Sequence, residues 1–177
     1  MIASPASAQT FSGWVREQVE KEFAAPVKAA PGRTLAADFA LPDEIMTPGV
    51  VDPAVDLNEI CNGTTKHRRP PSTRICDKVF ADYNIPTGDQ YSYECDHDIP
   101  IALGGSTVAK NLWPQPLAEA EKKDRLEVEM QRRACVAFRT LTPADAAKVL
   151  VQEQHEIADD WPAAYRLYVL GTVTARP

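Results

Sequence analysis

Residues 93–106 read YECDHDIPIALGGS, and residues 111–113 read NLW. Every second residue from position 91 to position 97 would share one face of a strand, and these residues are Tyr91, Tyr93, Cys95 and His97. This alternation predicts a half-buried strand over residues 90–97. The Gly-Gly pair predicts a turn or wide loop, and NLW predicts a second short strand. The stretch therefore predicts two strands joined by a loop, with an Asp-His pair at the end of the first strand.

The longest predicted helix follows these strands and runs from Leu117 to Phe138. Its apolar side chains repeat every four residues, at Leu126, Met130, Ala134 and Phe138. The opposite side is densely charged, which is typical of a helix with one buried face.

A second long helix is predicted to begin after Thr142, because Thr142 can cap it and Pro143 suits the first helical position. Its buried side is expected at Ala146, Val149, Leu150 and Ile157. A shorter helix is predicted from Arg74 to Tyr83. The tail from Tyr165 to Val173 is expected to form a terminal strand or a packed coil.

The first fifty residues are rich in Ala and Pro and differ from the rest of the chain. Trp14, Val15, Val19 and Phe23 fall at helical spacing and predict a short amphipathic helix. The prolines that follow predict an extended arm from about residue 24 to 55. We therefore predict one α+β domain over residues 51–177, preceded by a helix and a Pro/Ala-rich arm in residues 1–50.

Composition limits the classes of function. A chain of 177 residues can bury one substantial core, and no apolar run is long enough to span a bilayer. The net charge of −6 and the pI near 5.1 argue against broad, non-specific adhesion to nucleic acid. A nucleic-acid partner would therefore have to bind a local basic patch.

The four cysteines lie at positions 61, 76, 95 and 135, and none forms a C-x-x-C pair that would indicate a structural zinc site. The four cysteines are interpreted either as two disulfides in a protein of an oxidising compartment or as four buried free thiols in a cytoplasmic protein. Ala6-Ser7-Ala8 is similar to the end of a secretory signal. We therefore expect a periplasmic or secreted protein, with a cytoplasmic one as the alternative.

The Asp96-His97 pair fits the hydrolysis of a phosphodiester. That reaction needs a base to take a proton from water and a cation to stabilise the negative charge. A neutral histidine suits the first task, and a neighbouring carboxylate can bind Mg²⁺ or Mn²⁺. The pair therefore predicts a general base beside a divalent metal ion.

The order of these motifs resembles the HNH, or His-Me finger, endonuclease family. The similarity rests on the stretch from Glu94 to Ser106, on Asn111-Leu112-Trp113-Pro114-Gln115-Pro116, and on Ala120-x-x-Lys123-Asp124-x-Leu126-Glu127. More narrowly, the chain resembles a bacterial branch that is often seen in exported or uncharacterised proteins, and the resemblance covers about residues 47 to 161. It implies an HNH-type ββα-metal core, made of a β-hairpin and a helix around one metal ion.

The resemblance also implies roles for individual residues. His97 would be the general base, and Asp96 would bind the metal ion. Asn111 would hold the long loop so that His97 is aimed correctly, and Lys123 on the following helix would contact phosphate. Cys61 would pair with Cys135, which leaves Cys76 for Cys95.

One position departs from the HNH pattern. The last His or Asn, a second metal ligand on the helix, falls at Ala120, which has no ligand atom. Asp124 and Glu127 lie further along the same helical stripe. They are expected to replace the missing ligand directly or through water.

The basic residues that can grip phosphate are concentrated in one region. The expected nucleic-acid contacts are Lys66, Arg68, Arg69 and Arg74, together with Lys123. The expected function is metal-dependent cleavage of DNA or RNA with low sequence specificity. Two alternatives stay open: a catalytically inactive HNH-like binding module, and a secreted structural or interaction protein.

Overall fold

The computed structural model describes residues 39–63, 65 and 71–172. The predicted helix at Trp14–Phe23 and the basic residues Lys66, Arg68 and Arg69 lie outside the described residues. The elements in chain order are α1 Leu57–Cys61, α2 Thr73–Asp82, β1 Tyr93–His97, β2 Leu112–Pro116, α3 Leu117–Thr140 and α4 Pro143–Tyr168. The prediction of an α+β fold is confirmed: a two-stranded antiparallel sheet is combined with several helices.

The register of the sheet determines which side chains share a face. Asp96 is paired with Trp113, and His97 is paired with Leu112. Because successive strand residues point to opposite faces, Asp96 and His97 lie on different sides of the sheet. Asp96 faces α3, where it contacts Lys123. The opposite face, which carries His97 and Cys95, lies against α2 through the disulfide from Cys95.

The core lies between the sheet and the antiparallel pair α3 and α4. Leu126, Met130 and Ala134 are fully buried, as their four-residue repeat predicts. Phe138, the last member of that repeat, is 37% exposed, so its predicted burial is wrong. Phe138 is two residues from the end of α3 at Thr140, and the neighbouring Ala137 is the residue that is buried there, against Ala146 and Val149 of α4.

Helix α4 runs further than the sequence pattern predicts. Residues 165–168 were expected in a strand or coil, but they are helical. The backbone kinks at Asp160 (φ −162°, ψ 72°), where Pro162 follows. The Asp160 carboxylate accepts a hydrogen bond from the backbone N of Ala163 at 2.9 Å, so it caps a new helical start. This restart carries Trp161 and Tyr165 into the core.

Residues 39–52 pack along the domain rather than projecting away from it. Trp161 donates its indole N–H to the Ala40 carbonyl at 3.0 Å, and the ring of Phe39 lies 5.1 Å from the ring of Trp161. Further along, Asp52 and Ser106 donate backbone N–H groups to Gly104 and Val50. This segment therefore covers the loop between β1 and β2.

Two disulfides join distant parts of the chain. Cys61 of α1 is bonded to Cys135 of α3, and Cys76 of α2 is bonded to Cys95 of β1. Both bonds are consistent with a secreted or periplasmic protein. Within the described residues, no helix is long and apolar enough to cross a membrane.

Removal of the Cys61–Cys135 disulfide is expected to destabilise the domain. The bond closes 74 residues, against 19 for Cys76–Cys95. Because a longer closed loop restricts the unfolded chain more, we expect the double alanine variant at 61 and 135 to lose about 4 kcal/mol of unfolding free energy, and the variant at 76 and 95 to lose about 3 kcal/mol. Urea unfolding under non-reducing conditions measures both losses. The reverse order would contradict the loop-length argument.

Candidate active site

His97 ends β1 and is largely buried, with 8% of its surface exposed. Its Nε2 lies 3.1 Å from the hydroxyl oxygen of Thr107, which follows the Gly-Gly turn. Burial lowers the pKa of the imidazole from its ordinary value of 6.5, although the Asp96 carboxylate opposes this effect. The ring is therefore neutral at neutral pH, which is the form that can accept a proton.

The loop that carries Thr107 is held by the side chain of Asn111, which is fully buried. The Asn111 Oδ1 accepts hydrogen bonds from the backbone N of Val50 and of Ile99, both at 3.0 Å. Its Nδ2 donates to the carbonyls of Ile99 and Ser106, both at 2.9 Å. The amide thus makes four hydrogen bonds to backbone groups from three parts of the chain.

The Gly-Gly turn is required by the same close packing. A Cβ on Gly105 would lie 1.7 Å from the Ile99 carbonyl oxygen and 3.0 Å from the Asn111 Nδ2. No other residue fits there without moving the backbone. Gly104 adopts a φ of +84°, a left-handed conformation that side chains disfavour. The two glycines therefore let the loop fold back onto the end of β1.

On the other face of β1, Asp96 contacts Lys123 of α3. The Lys123 ammonium lies 2.6 Å from Asp96 Oδ2, 2.7 Å from the His97 carbonyl oxygen and 2.7 Å from Glu127 Oε1. Lys123 is completely buried. Burial alone would lower its pKa, but the charges of Glu127 and Asp96 outweigh that effect and raise it. The ammonium therefore stays charged inside the protein.

The carboxylates expected to hold a divalent ion do not fit that role. Asp96 of β1 and Glu127 of α3 both contact the Lys123 ammonium, which lies between the two side chains. Asp124 is exposed on α3. In the part of the chain that the structure describes, no three or more His, Cys, Asp or Glu side chains are grouped to hold a metal ion. The oxygens of this site converge on an amino group.

The predicted phosphate contact of Lys123 does not agree with its placement. An ammonium has three N–H donors, and all three are used within the protein. A phosphate would also have to reach a side chain that has no exposed surface. Of the other residues in the expected basic patch, Arg74 is described, and it is exposed on α2.

Asp98 is a buried carboxylate that the sequence reasoning missed. It is 1% exposed, and neither carboxylate oxygen has a hydrogen-bond partner in the described chain. Burial raises its pKa to about 7; Lys123 opposes this rise, while Asp96 and Asp159 add to it. Thr107 was also missed, although its place directly after Gly-Gly-Ser was a usable signal. No sequence signal distinguishes a buried Asp98 from the exposed loop carboxylate that is more usual after a strand.

Asp98 is expected to make the protein less stable as the pH rises. Its folded pKa of about 7 exceeds the ordinary value of 3.8, so the folded state binds the proton more tightly than the unfolded state does. The stabilisation is complete below about pH 4 and is lost as the pH rises to about 7, with a limit of about 4 kcal/mol. We expect Asp98→Asn to reduce this loss, as measured by urea unfolding at several pH values.

The matched control for that measurement is Asp89→Asn, at an exposed position. It should keep the pH dependence of the wild type. Glu127 and Glu153, whose pKa values burial raises to about 7 and about 8, titrate in both variants and leave a common background. If Asp98→Asn and wild type lose the same free energy between pH 4 and 7, the assignment to Asp98 is wrong.

Comparisons of the chain with models of known protein families, with curated proteins and with solved structures each find no match.

Proposed function

We propose that this protein is a nuclease that hydrolyses phosphodiester bonds of DNA or RNA with low sequence specificity, through an HNH-type ββα centre. The observation that carries the proposal is a neutral, buried His97 at the end of β1, facing a loop that Asn111 holds in place. The order of β1, a long loop, β2 and α3 agrees with the order of elements that the resemblance implies.

In this proposal His97 is the general base. If Nε2 carries the ring proton and donates it to Thr107, the lone pair lies on Nδ1. Nδ1 then takes a proton from a water molecule, and the resulting hydroxide attacks phosphorus while the bond to the leaving oxygen breaks. The leaving oxygen takes a proton from solvent water. Thr107 and Asn111 do not touch the phosphate. They fix the tautomer and the orientation of the ring.

The sequence predicts Mg²⁺ or Mn²⁺ as the cofactor, with Asp96, Asp124 and Glu127 as its ligands. The side-chain geometry does not support that ligand set, because Lys123 bridges two of the three carboxylates. No step of the proposed reaction depends on it. The nucleic-acid partner is part of the proposal, and Arg74 is the exposed member of the predicted basic patch that the structure describes.

A cleavage assay tests this function directly. Wild type, His97→Ala and His155→Ala, with intact disulfides, are incubated with supercoiled plasmid and with a structured RNA. Each reaction is run with Mg²⁺, with Mn²⁺ and with a chelator. His155 is a matched control because it is exposed on α4. The proposal expects cleavage by wild type and His155→Ala and its loss in His97→Ala. Equal cleavage by all three proteins would show contamination and contradict it.

A second candidate is an HNH-like module that binds nucleic acid without cleaving it. The specific observation in its favour is that Lys123 neutralises the carboxylates expected to bind a metal ion. Fluorescence anisotropy with labelled single-stranded and double-stranded DNA and RNA separates the two. Saturable binding without cleavage under any metal condition supports the binding module.

A further inference from the structure

Three oxygens around the Lys123 ammonium form a compact cation site. They are Asp96 Oδ2 and the His97 carbonyl from β1, and Glu127 Oε1 from α3, at 2.6, 2.7 and 2.7 Å from Nζ. We refer to them as the three-oxygen site. Two of the three groups are carboxyl groups, and the third is a backbone carbonyl. Carboxyl and carbonyl oxygens are the ligands that hard divalent cations prefer.

Lys123 lies on the same helix as Ala120, the position at which the sequence lacks the metal ligand expected from the HNH pattern. Lys123 follows Ala120 by three residues and precedes Glu127 by four, so all three lie on one stripe of the helix. The stripe faces Asp96 on β1. A helix ligand at position 120 would share a metal ion with Asp96. Instead, the helix places a cation of its own beside Asp96.

We propose that Lys123 is a tethered cation: its ammonium occupies the three-oxygen site in place of a divalent ion and holds Asp96 and the His97 carbonyl in position. This role makes Lys123 a positioning residue, because it acts on the backbone of His97 and not on substrate. The proposal deepens the nuclease function suggested above, but the occupancy of the site rests on geometry alone.

A direct consequence is that removal of the ammonium should create a metal site. Lys123→Ala leaves two carboxylates and a carbonyl around a space from which the side chain is gone, and uncompensated buried charge is strongly unfavourable. A divalent ion relieves that cost. Lys123→Met is the matched control, because its unbranched side chain fills much of the same space but carries no charge.

The test is a calorimetric titration with Mn²⁺ of the full chain, as wild type, Lys123→Ala and Lys123→Met. We expect Lys123→Ala to bind Mn²⁺ at least about tenfold more tightly than wild type or Lys123→Met. Adding Glu127→Gln to Lys123→Ala should reduce this gain. Equal Mn²⁺ affinity in wild type and folded Lys123→Ala would overturn the proposal. So would binding to wild type that Asp96→Asn abolishes.

A measurement on wild type keeps the proposal testable if Lys123→Ala does not fold. The buried ammonium should give a ¹⁵N NMR signal whose protons exchange slowly with water, assigned by its loss in Lys123→Met. Millimolar Mg²⁺, which is diamagnetic, should leave that signal in place. Loss of the protected signal on addition of Mg²⁺ would show that the metal ion displaces the ammonium from the three-oxygen site, and would overturn the proposal. A Lys123→Ala variant that folds only with Mn²⁺, as seen by circular dichroism, would support it.

These readouts are independent of nuclease activity. If the protein cleaves no nucleic acid but gains a metal site in Lys123→Ala, the proposed function fails and the tethered cation stands. If it cleaves nucleic acid and Mg²⁺ removes the protected Lys123 signal in wild type, the tethered cation fails and the nuclease stands.

Discussion

Replacement of His97 by alanine is expected to lower the rate of phosphodiester cleavage about 10²- to 10⁴-fold, the usual contribution of a general base. His97 is the last residue of β1, and burial favours the neutral form of its imidazole. The substitution would remove the proposed general base. Initial rates on a fluorogenic oligonucleotide, at substrate concentrations below saturation, measure the effect.

The pH dependence of the same rate gives a second readout. Because burial lowers the pKa of His97 from 6.5, its imidazole remains unprotonated, and able to accept a proton, down to a pH below 6.5. We expect kcat/KM of wild type to be level above that pH and to fall at lower pH as the imidazole takes a proton. His97→Ala should lack this descending limb. A residual activity in His97→Ala with the same acid limb as wild type would assign the base to another group.

Replacement of Asn111 by alanine is expected to cost about 5 kcal/mol of unfolding free energy. The substitution leaves four backbone partners without their bond: the N–H groups of Val50 and Ile99, and the carbonyls of Ile99 and Ser106. An orphaned buried polar group costs about 1–3 kcal/mol, less whatever local relaxation recovers. That sum is a large fraction of the stability of a small domain. Urea unfolding monitored by tryptophan fluorescence measures it.

Asn58→Ala is the control for Asn111. Asn58 is exposed, and its side chain accepts one hydrogen bond from Asn62. We expect a loss below about 1 kcal/mol there. Cleavage should fall in Asn111→Ala even at temperatures where the variant remains folded, because the loop that carries Thr107 is no longer fixed. Near-equal stability of the two asparagine variants would show that the Asn111 amide does not hold the loop.

The regular elements could be predicted because each has a recognisable sequence pattern, either a period of apolar residues or a helix-capping sequence. Alternation marked β1, although the strand begins at Tyr93 and not at residue 90, so that Tyr91 lies in a 3-10 turn and is 79% exposed. The repeat of Leu126, Met130 and Ala134 marked α3, and Thr142-Pro143 marked the start of α4. The helical end of α4 was missed because its continuation depends on Asp160 capping a new start after the kink. That cap depends on local backbone geometry and leaves no period in the sequence.

The candidate site could be predicted only in part. The sequence pattern identified Asp96, Glu127 and Lys123 as site residues. It predicted, however, that the carboxylates bind a metal ion and that Lys123 binds phosphate. Which groups pair depends on how α3 crosses β1, and no sequence period records that distance. The burial of Asp98 likewise depends on residues 47–52 covering the loop, a contact between segments about fifty positions apart.

The Cys76–Cys95 disulfide has a consequence for when such a protein becomes active. It ties α2 to β1 only two residues before His97. If the chain is a nuclease, the strand that presents its base is fully braced only after oxidation. Thiols stay reduced in the bacterial cytoplasm. A nuclease of this kind, made in the cytoplasm and then exported, would acquire this brace only after it left the compartment in which it was made.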